Sequence, residues 1–132
     1  MNIILFDGDD AGKRAAAHAL ENVLPLAEGS RSFRFMFLPD GHDPDSFVRA
    51  HGAEAFRSLL AQALPLGDYL RDLILKGCDL RQAEGRALCS ARTKPFWQAL
   101  PDGNLRDELV NFCAETTRFS PDELLSIWSV SP

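Results

Sequence analysis

Residues 3–10 read Ile-Ile-Leu-Phe-Asp-Gly-Asp-Asp. Four apolar residues in a row, with no polar alternation and an abrupt acidic exit, match a strand covered on both faces, as in a parallel sheet. Beyond that exit Ala16, Ala19, Leu20, Val23 and Leu24 recur with helical spacing, which predicts a helix over about 11–24, stopped by Pro25. Glu28-Gly29-Ser30 reads as a turn, and Phe33–Leu38 as a second, aromatic strand. Strand, helix and strand in that order make a βαβ unit with parallel strands and an expected right-handed crossover.

Past Pro39 the pattern is helical. The spacing predicts a short helix from Pro44 to about Ala50. Apolar stripes follow at Phe56, Leu59, Leu60, Ala63 and Leu64, and at Leu66, Tyr69, Leu70, Leu73 and Ile74. Further helices are expected over Ala83 to about Thr93, Leu105–Thr117 and Pro121–Trp128, with Pro101-Asp102-Gly103-Asn104 as a turn. The fold class is therefore α/β: a βαβ segment over residues 1–52, then a mainly α-helical bundle over 53–132. Trp97, Trp128, Phe96 and Phe112 sit at helical spacing and read as packing residues in preference to base-stacking ones. His18 and His51 read as surface or boundary residues, and Arg106 and Arg118 as ordinary helix-face charges.

Both strands run into acid: Asp7-Gly8-Asp9-Asp10 after the first, and Asp40-Gly41-His42-Asp43-Pro44-Asp45 after the second. Parallel strands share a direction, so these loops fall side by side at the carboxyl edge, where ligands of open α/β sheets bind. With ~3.3 Å per residue, Asp7 and Asp9 are expected on one side of the chain, ~6–7 Å apart. Oxygen donors without cysteine or paired histidine suit Mg²⁺ or Mn²⁺. Gly8 and Gly12 would admit a backbone or a phosphate closely. The second loop has a plainer reading: Asp43 caps the next helix, Pro44 takes its first position, and Asp45 meets its dipole.

The whole chain has 132 residues, 45% hydrophobic and 25% charged, with a net charge of −5. That balance excludes a protein held on nucleic acid by its overall charge. No apolar run approaches the ~18 residues of a membrane span. Met1-Asn2 lacks the basic start of a secretory leader, and the three cysteines form no CxxC pair. A cytoplasmic protein with reduced thiols and no membrane partner is expected.

Phe6-Asp7-Gly8-Asp9-Asp10-Ala11-Gly12 with Arg14-Ala15-Ala16 resembles the DxD segment of the Toprim fold, specifically that of bacterial DnaG-type DNA primases. Phe37–Arg49 is similar to the next acidic segment of that family, with its Pro-Asp-Gly-x-Asp-Pro-Asp signature. Ala63-Leu64-Pro65-Leu66, Tyr69-Leu70, Asp79-Leu80 and Glu84-Gly85-Arg86-Ala87 follow the order of the helical region after it. The resemblance implies DNA-templated RNA primer synthesis by a nucleotidyltransferase. It implies Mg²⁺ or Mn²⁺ held by Asp7, Asp9, Asp43 and Asp45, and single-stranded DNA, RNA primer and nucleoside triphosphates as partners. Lys13, Arg14 and Arg49 flank the loops and would contact phosphates. His42 stands where the family usually has an acid, and Asp10 where a basic or neutral residue is common.

The family's catalytic glutamate lies on an earlier strand that the resemblance places before Met1. Its zinc module, its basic N-terminal part and its helicase-binding region are likewise expected outside this chain. The expectation is a primase fragment, inactive alone, whose open strand edge favours a homodimer. A haloacid-dehalogenase-like phosphotransferase is the alternative enzyme, since it also opens with a strand and DxD. It would have Thr or Val where Ala11 stands, and a later acidic pair on another strand. A non-enzymatic fragment that binds a metal or a partner is the remaining alternative.

Overall fold

A computed structural model of the chain describes residues 2–27 and 32–129, so the turn expected at Glu28-Gly29-Ser30 lies outside the described residues. Strand β1 (Asn2–Phe6) leads into helix α1 (Asp10–Val23), which tightens into one 3₁₀ turn at Leu24–Leu26 around Pro25. Strand β2 (Phe33–Phe37) lies parallel to β1, in a register that sets Asn2 against Phe33 and Phe6 against Phe37. Helices α2 (Pro44–His51) and α3 (Ala53–Ala61) follow, separated only by Gly52 at φ +89. A positive φ is cheap for glycine, so the chain can change direction there without a longer loop.

A two-residue strand, β3 (Leu64–Pro65), then pairs antiparallel with Arg34 and Phe35 of β2. The sheet is thus three-stranded and mixed, in the order β1-β2-β3, where sequence periodicity suggested two parallel strands. Leu64 falls in an apolar helical stripe, so nothing local distinguishes it from a helical residue. Helices α4 (Leu66–Leu75), α5 (Ala83–Ala99), α6 (Asn104–Thr117) and α7 (Pro121–Ser129) complete the chain. Helix α5 runs past the expected end near Thr93 and takes Pro95 inside it. Neither β3 nor any later described element supplies the acid-bearing strand that the dehalogenase-like alternative requires.

The sheet is unequally covered. Phe6 and Phe35 face α1 and α4, in an aromatic run where Phe6 stacks on Phe37 at 5.2 Å and Phe35 meets Tyr69 at 4.7 Å. On the other face Met36 and Leu38 pack with Phe47, Ala63 and the apolar side of α3. That cover stops at β2. Ile3 and Leu5 are 36% and 37% exposed, so β1 is buried on one face only, against the expectation of a strand covered on both. The main core continues through Leu70, Ile74, Leu109 and Leu124, and so joins residues on both sides of position 52.

The last four helices satisfy buried polar groups within and between themselves. Thr93 donates to the Cys89 carbonyl at 2.7 Å, Thr117 to that of Cys113 at 2.6 Å, and Trp128 Nε1 to Ser90 Oγ at 3.2 Å. Trp97 and Trp128 meet at 5.2 Å, which is the packing role expected of them. Arg106 is not an ordinary surface charge: its guanidinium lies 4.2 Å from the Trp97 ring centre, and its Nε donates to the Trp97 carbonyl. Arg118 ends α6 in the left-handed conformation, φ +68.

Candidate functional site

Asp7 leaves β1, and the chain turns at once into α1, so the extended spacing assumed between Asp7 and Asp9 ends with the strand at Phe6. Asp9 is the N-cap of α1: its carboxylate accepts the Gly12 N–H at 2.7 Å. The first turn can sit this close to the strand exit only because position 12 has no side chain. A Cβ there would stand 2.0 Å from the Asp7 carbonyl oxygen. At Gly8 a Cβ would meet the Pro39 and Leu38 carbonyl oxygens at 2.2 and 2.4 Å. Both glycines therefore serve close approach within the fold, where an opening toward ligand was expected of them.

The second acidic loop lies against the first. Gly8 N–H donates to the His42 carbonyl and Gly41 N–H to the Gly8 carbonyl, each at 3.1 Å. Asp43 closes a capping box on α2: it accepts from Ser46 N–H at 2.8 Å, while Ser46 Oγ accepts from Asp43 N–H at 3.0 Å. The Ser46 N–H bond holds the Asp43 carboxyl below its ordinary range. Asp45 pairs with Arg49 at 2.6 Å, with both side chains largely exposed.

The two loops thus meet at the carboxyl edge of the parallel strands, as the strand-end argument required. Their carboxylates do not close on one point: among the described residues no three His, Cys, Asp or Glu side chains form a metal-holding group. Asp9 and Asp43 each spend an oxygen on a helix cap and keep the other. Asp7 and Asp10 are exposed. Lys13 and Arg14 form no ion pair among the described residues, whereas Arg49 is taken up by Asp45.

Beneath the first loop opens a cleft of about 1030 Å³. Asp7, Asp9, Lys13, Phe37, Tyr69, Lys76 and Phe96 are among the residues that line it. Burial raises the Tyr69 phenol above its ordinary value. Sequence reasoning missed this wall because Tyr69 and Leu73 belong to a helical stripe, which carries the same signal whether it faces a core or a cleft.

Comparison with known proteins bears on this geometry. The family described as the DnaB-helicase binding domain of primase matches residues 68–122. A DNA primase of Pseudomonas aeruginosa is 38% identical over 131 residues, covering 98% of this chain and 20% of that protein. The crystal structure of a DNA primase domain from Pseudomonas aeruginosa superposes with a TM-score of 0.90 at 37% identity, over 97% of this chain and 40% of that one. The DnaG primase catalytic domain bound to ssDNA superposes at 0.81 with 38% identity, over 92% and 38% respectively. The chain spans about a fifth of the length of the curated relatives it matches. It is homologous to a segment of DNA primases, a nucleotidyltransferase family. One expectation is corrected: helicase-binding sequence was placed outside this chain, yet residues 68–122 match a helicase-binding domain.

Proposed function

We propose that this chain, homologous to a segment of DNA primases, supplies divalent-cation-binding carboxylates for the templated synthesis of RNA primers. In this reading residues 1–52 are the metal-binding part of a Toprim unit and 53–132 its helical support. The observation that carries the reading is the pair of backbone hydrogen bonds that fasten the two acidic loops together at the strand ends. The donor set fits a hard cation: Asp7, the free oxygens of Asp9 and Asp43, and Asp45 offer carboxylate oxygen alone. When bound, Mg²⁺ or Mn²⁺ there would neutralise triphosphate charge and orient it for attack by a 3′-hydroxyl.

The chain's own residues do the rest. The α1 and α2 caps hold Asp9 and Asp43 in place, and Lys13 and Arg14 stand beside the first loop to meet phosphate. Arg49 is held by Asp45 and becomes available to phosphate only as Asp45 turns to a cation. Titration with Mn²⁺, followed by paramagnetic broadening of Asp7 and Asp9 resonances, tests the reading. Binding tighter than that of Mg²⁺ and lost in Asp7→Asn/Asp9→Asn is expected, and Asn at position 9 keeps the cap. Unchanged binding in that double variant would overturn it.

A second reading rests on the match over residues 68–122: helices α4 to α6 contact the replicative helicase. Surface plasmon resonance of the purified helicase over immobilised chain decides it, with absence of saturable binding counting against.

A further inference from the structure

We propose that His42, in the second acidic loop, and His51, at the end of α2, form a two-imidazole site for a divalent transition metal, with donors other than the loop carboxylates. Their ring centroids lie 5.4 Å apart at an interplanar angle of 72°. Both rings rest on Phe47, at 5.7 Å for His42 and 4.8 Å for His51, and Phe47 is itself only 6% exposed. A buried ring in contact with both imidazoles holds them side by side at the surface, within side-chain rotation of a common ion.

Hydrogen bonding selects the state of His42. Ser46 Oγ donates to the Asp43 carbonyl at 3.2 Å and accepts from Asp43 N–H at 3.0 Å. With the hydroxyl proton committed there, the His42 Nδ1 contact at 3.0 Å is filled by a proton on the ring. The neutral His42 ring then carries its lone pair on Nε2, free of that network. Ligating histidines are commonly held in this way, with the second nitrogen donating to a neighbouring oxygen. His51 ends α2 and is exposed, so its ring can turn toward the same ion.

Two nitrogens at ~2.0–2.1 Å from one ion need a separation of about 3–4 Å, which rings this close reach by side-chain rotation. No third His, Cys, Asp or Glu joins them among the described residues, so water fills the remaining positions and the site is open. Imidazole nitrogen suits Cu²⁺, Ni²⁺ and Zn²⁺, whereas carboxylate oxygen suits Mg²⁺ and Mn²⁺. The two sites therefore answer to different cations. An ion at the histidines would tie the loop carrying Asp43 to the last turn of α2.

Titration of the chain with Cu²⁺, Ni²⁺ and Zn²⁺, in excess Mg²⁺, tests the assignment. The readouts are the nitrogen hyperfine pattern of bound Cu²⁺ and the shift in melting temperature. One equivalent with two nitrogen ligands is expected, Cu²⁺ binding tighter than Ni²⁺ and Zn²⁺. His51→Ala, on an exposed side chain, and His42→Gln should each weaken binding at least tenfold with circular dichroism unchanged. His18→Ala and Asp7→Asn/Asp9→Asn should leave it intact. Failure to bind one equivalent, or binding lost in His18→Ala or in the aspartate pair and retained in His51→Ala, would overturn the proposal.

Discussion

A methyl group at position 12 would press on the Asp7 carbonyl oxygen at 2.0 Å, and one at position 85 on the Asp79 carbonyl at 1.9 Å. Backbone cannot yield as a flexible side chain does. Gly12→Ala and Gly85→Ala should each destabilise the chain by about 1–3 kcal/mol, read from urea unfolding midpoints. The Asp43 cap and the Asp79–Arg81 ion pair carry a pH signature. Ser46 N–H lowers the Asp43 carboxyl and the Arg81 guanidinium lowers Asp79, both from an ordinary 3.8. A carboxyl lowered in the folded state contributes stability that is fully present above its unfolded value and lost as pH falls through the folded one. The unfolding midpoint should therefore drop as pH falls below about 4, and drop less in Asp43→Asn, which caps without titrating. Cys78 is half-buried while Cys89 and Cys113 are buried; the neighbouring Cys89 and burial push the Cys113 thiol up. A thiol reagent should modify one cysteine in the folded chain and three in denaturant. At this scale the cap roles of Asp43 and Pro44 were legible in the sequence. The role of Gly12 was not, because a contact with Asp7 backbone leaves no mark on residue type.

Helix α5 keeps its course through Pro95, and β3 appears where an apolar stripe promised only helix. Both departures have one cause: periodicity reports which side of a segment is apolar, and the packed neighbour decides what the backbone does with it. The strands and the first helix were legible because Ile3–Phe6 and Phe33–Phe37 are short apolar or aromatic runs and Ala16–Leu24 keeps a helical period, each followed by a Pro or Asp stop. The edges of the sheet were half legible. An open edge is expected at either strand; β3 pairs with Arg34 and Phe35 on the outer side of β2, which leaves β1 unpaired along its outer edge among the described residues. With Ile3 and Leu5 exposed beside that edge, the chain should self-associate by strand pairing. Light scattering should show a mass rising with concentration above 14.6 kDa, and Leu5→Lys should suppress the rise. A constant 14.6 kDa in the parent chain would refute it.

One continuous core draws on β1, α1, β2 and α4 through α7, with Leu70 and Ile74 fully buried at its middle. Leu70→Ala or Ile74→Ala should cost about 2–5 kcal/mol, and unfolding followed by tryptophan fluorescence and by circular dichroism should coincide in one transition. At this scale the legible part of the site was topological: two acid-ended parallel strands must present their loops together. The cleft wall from α4 and α5 was hidden, since nothing in a stripe says which half of it the fold leaves uncovered. The backbone bonds between Gly8, Gly41 and His42 carry a consequence for how such a protein can change. They clamp Gly8 of the first loop between Gly41 and His42 of the second, so each loop constrains the length of the other. Exposed side chains such as those of Asp10 and Asp40 can be exchanged without touching these bonds, but an inserted or deleted residue in either loop throws the pairing out of step. A library that randomises Asp10 and Asp40 should yield many folded members, and one that varies loop length should yield few.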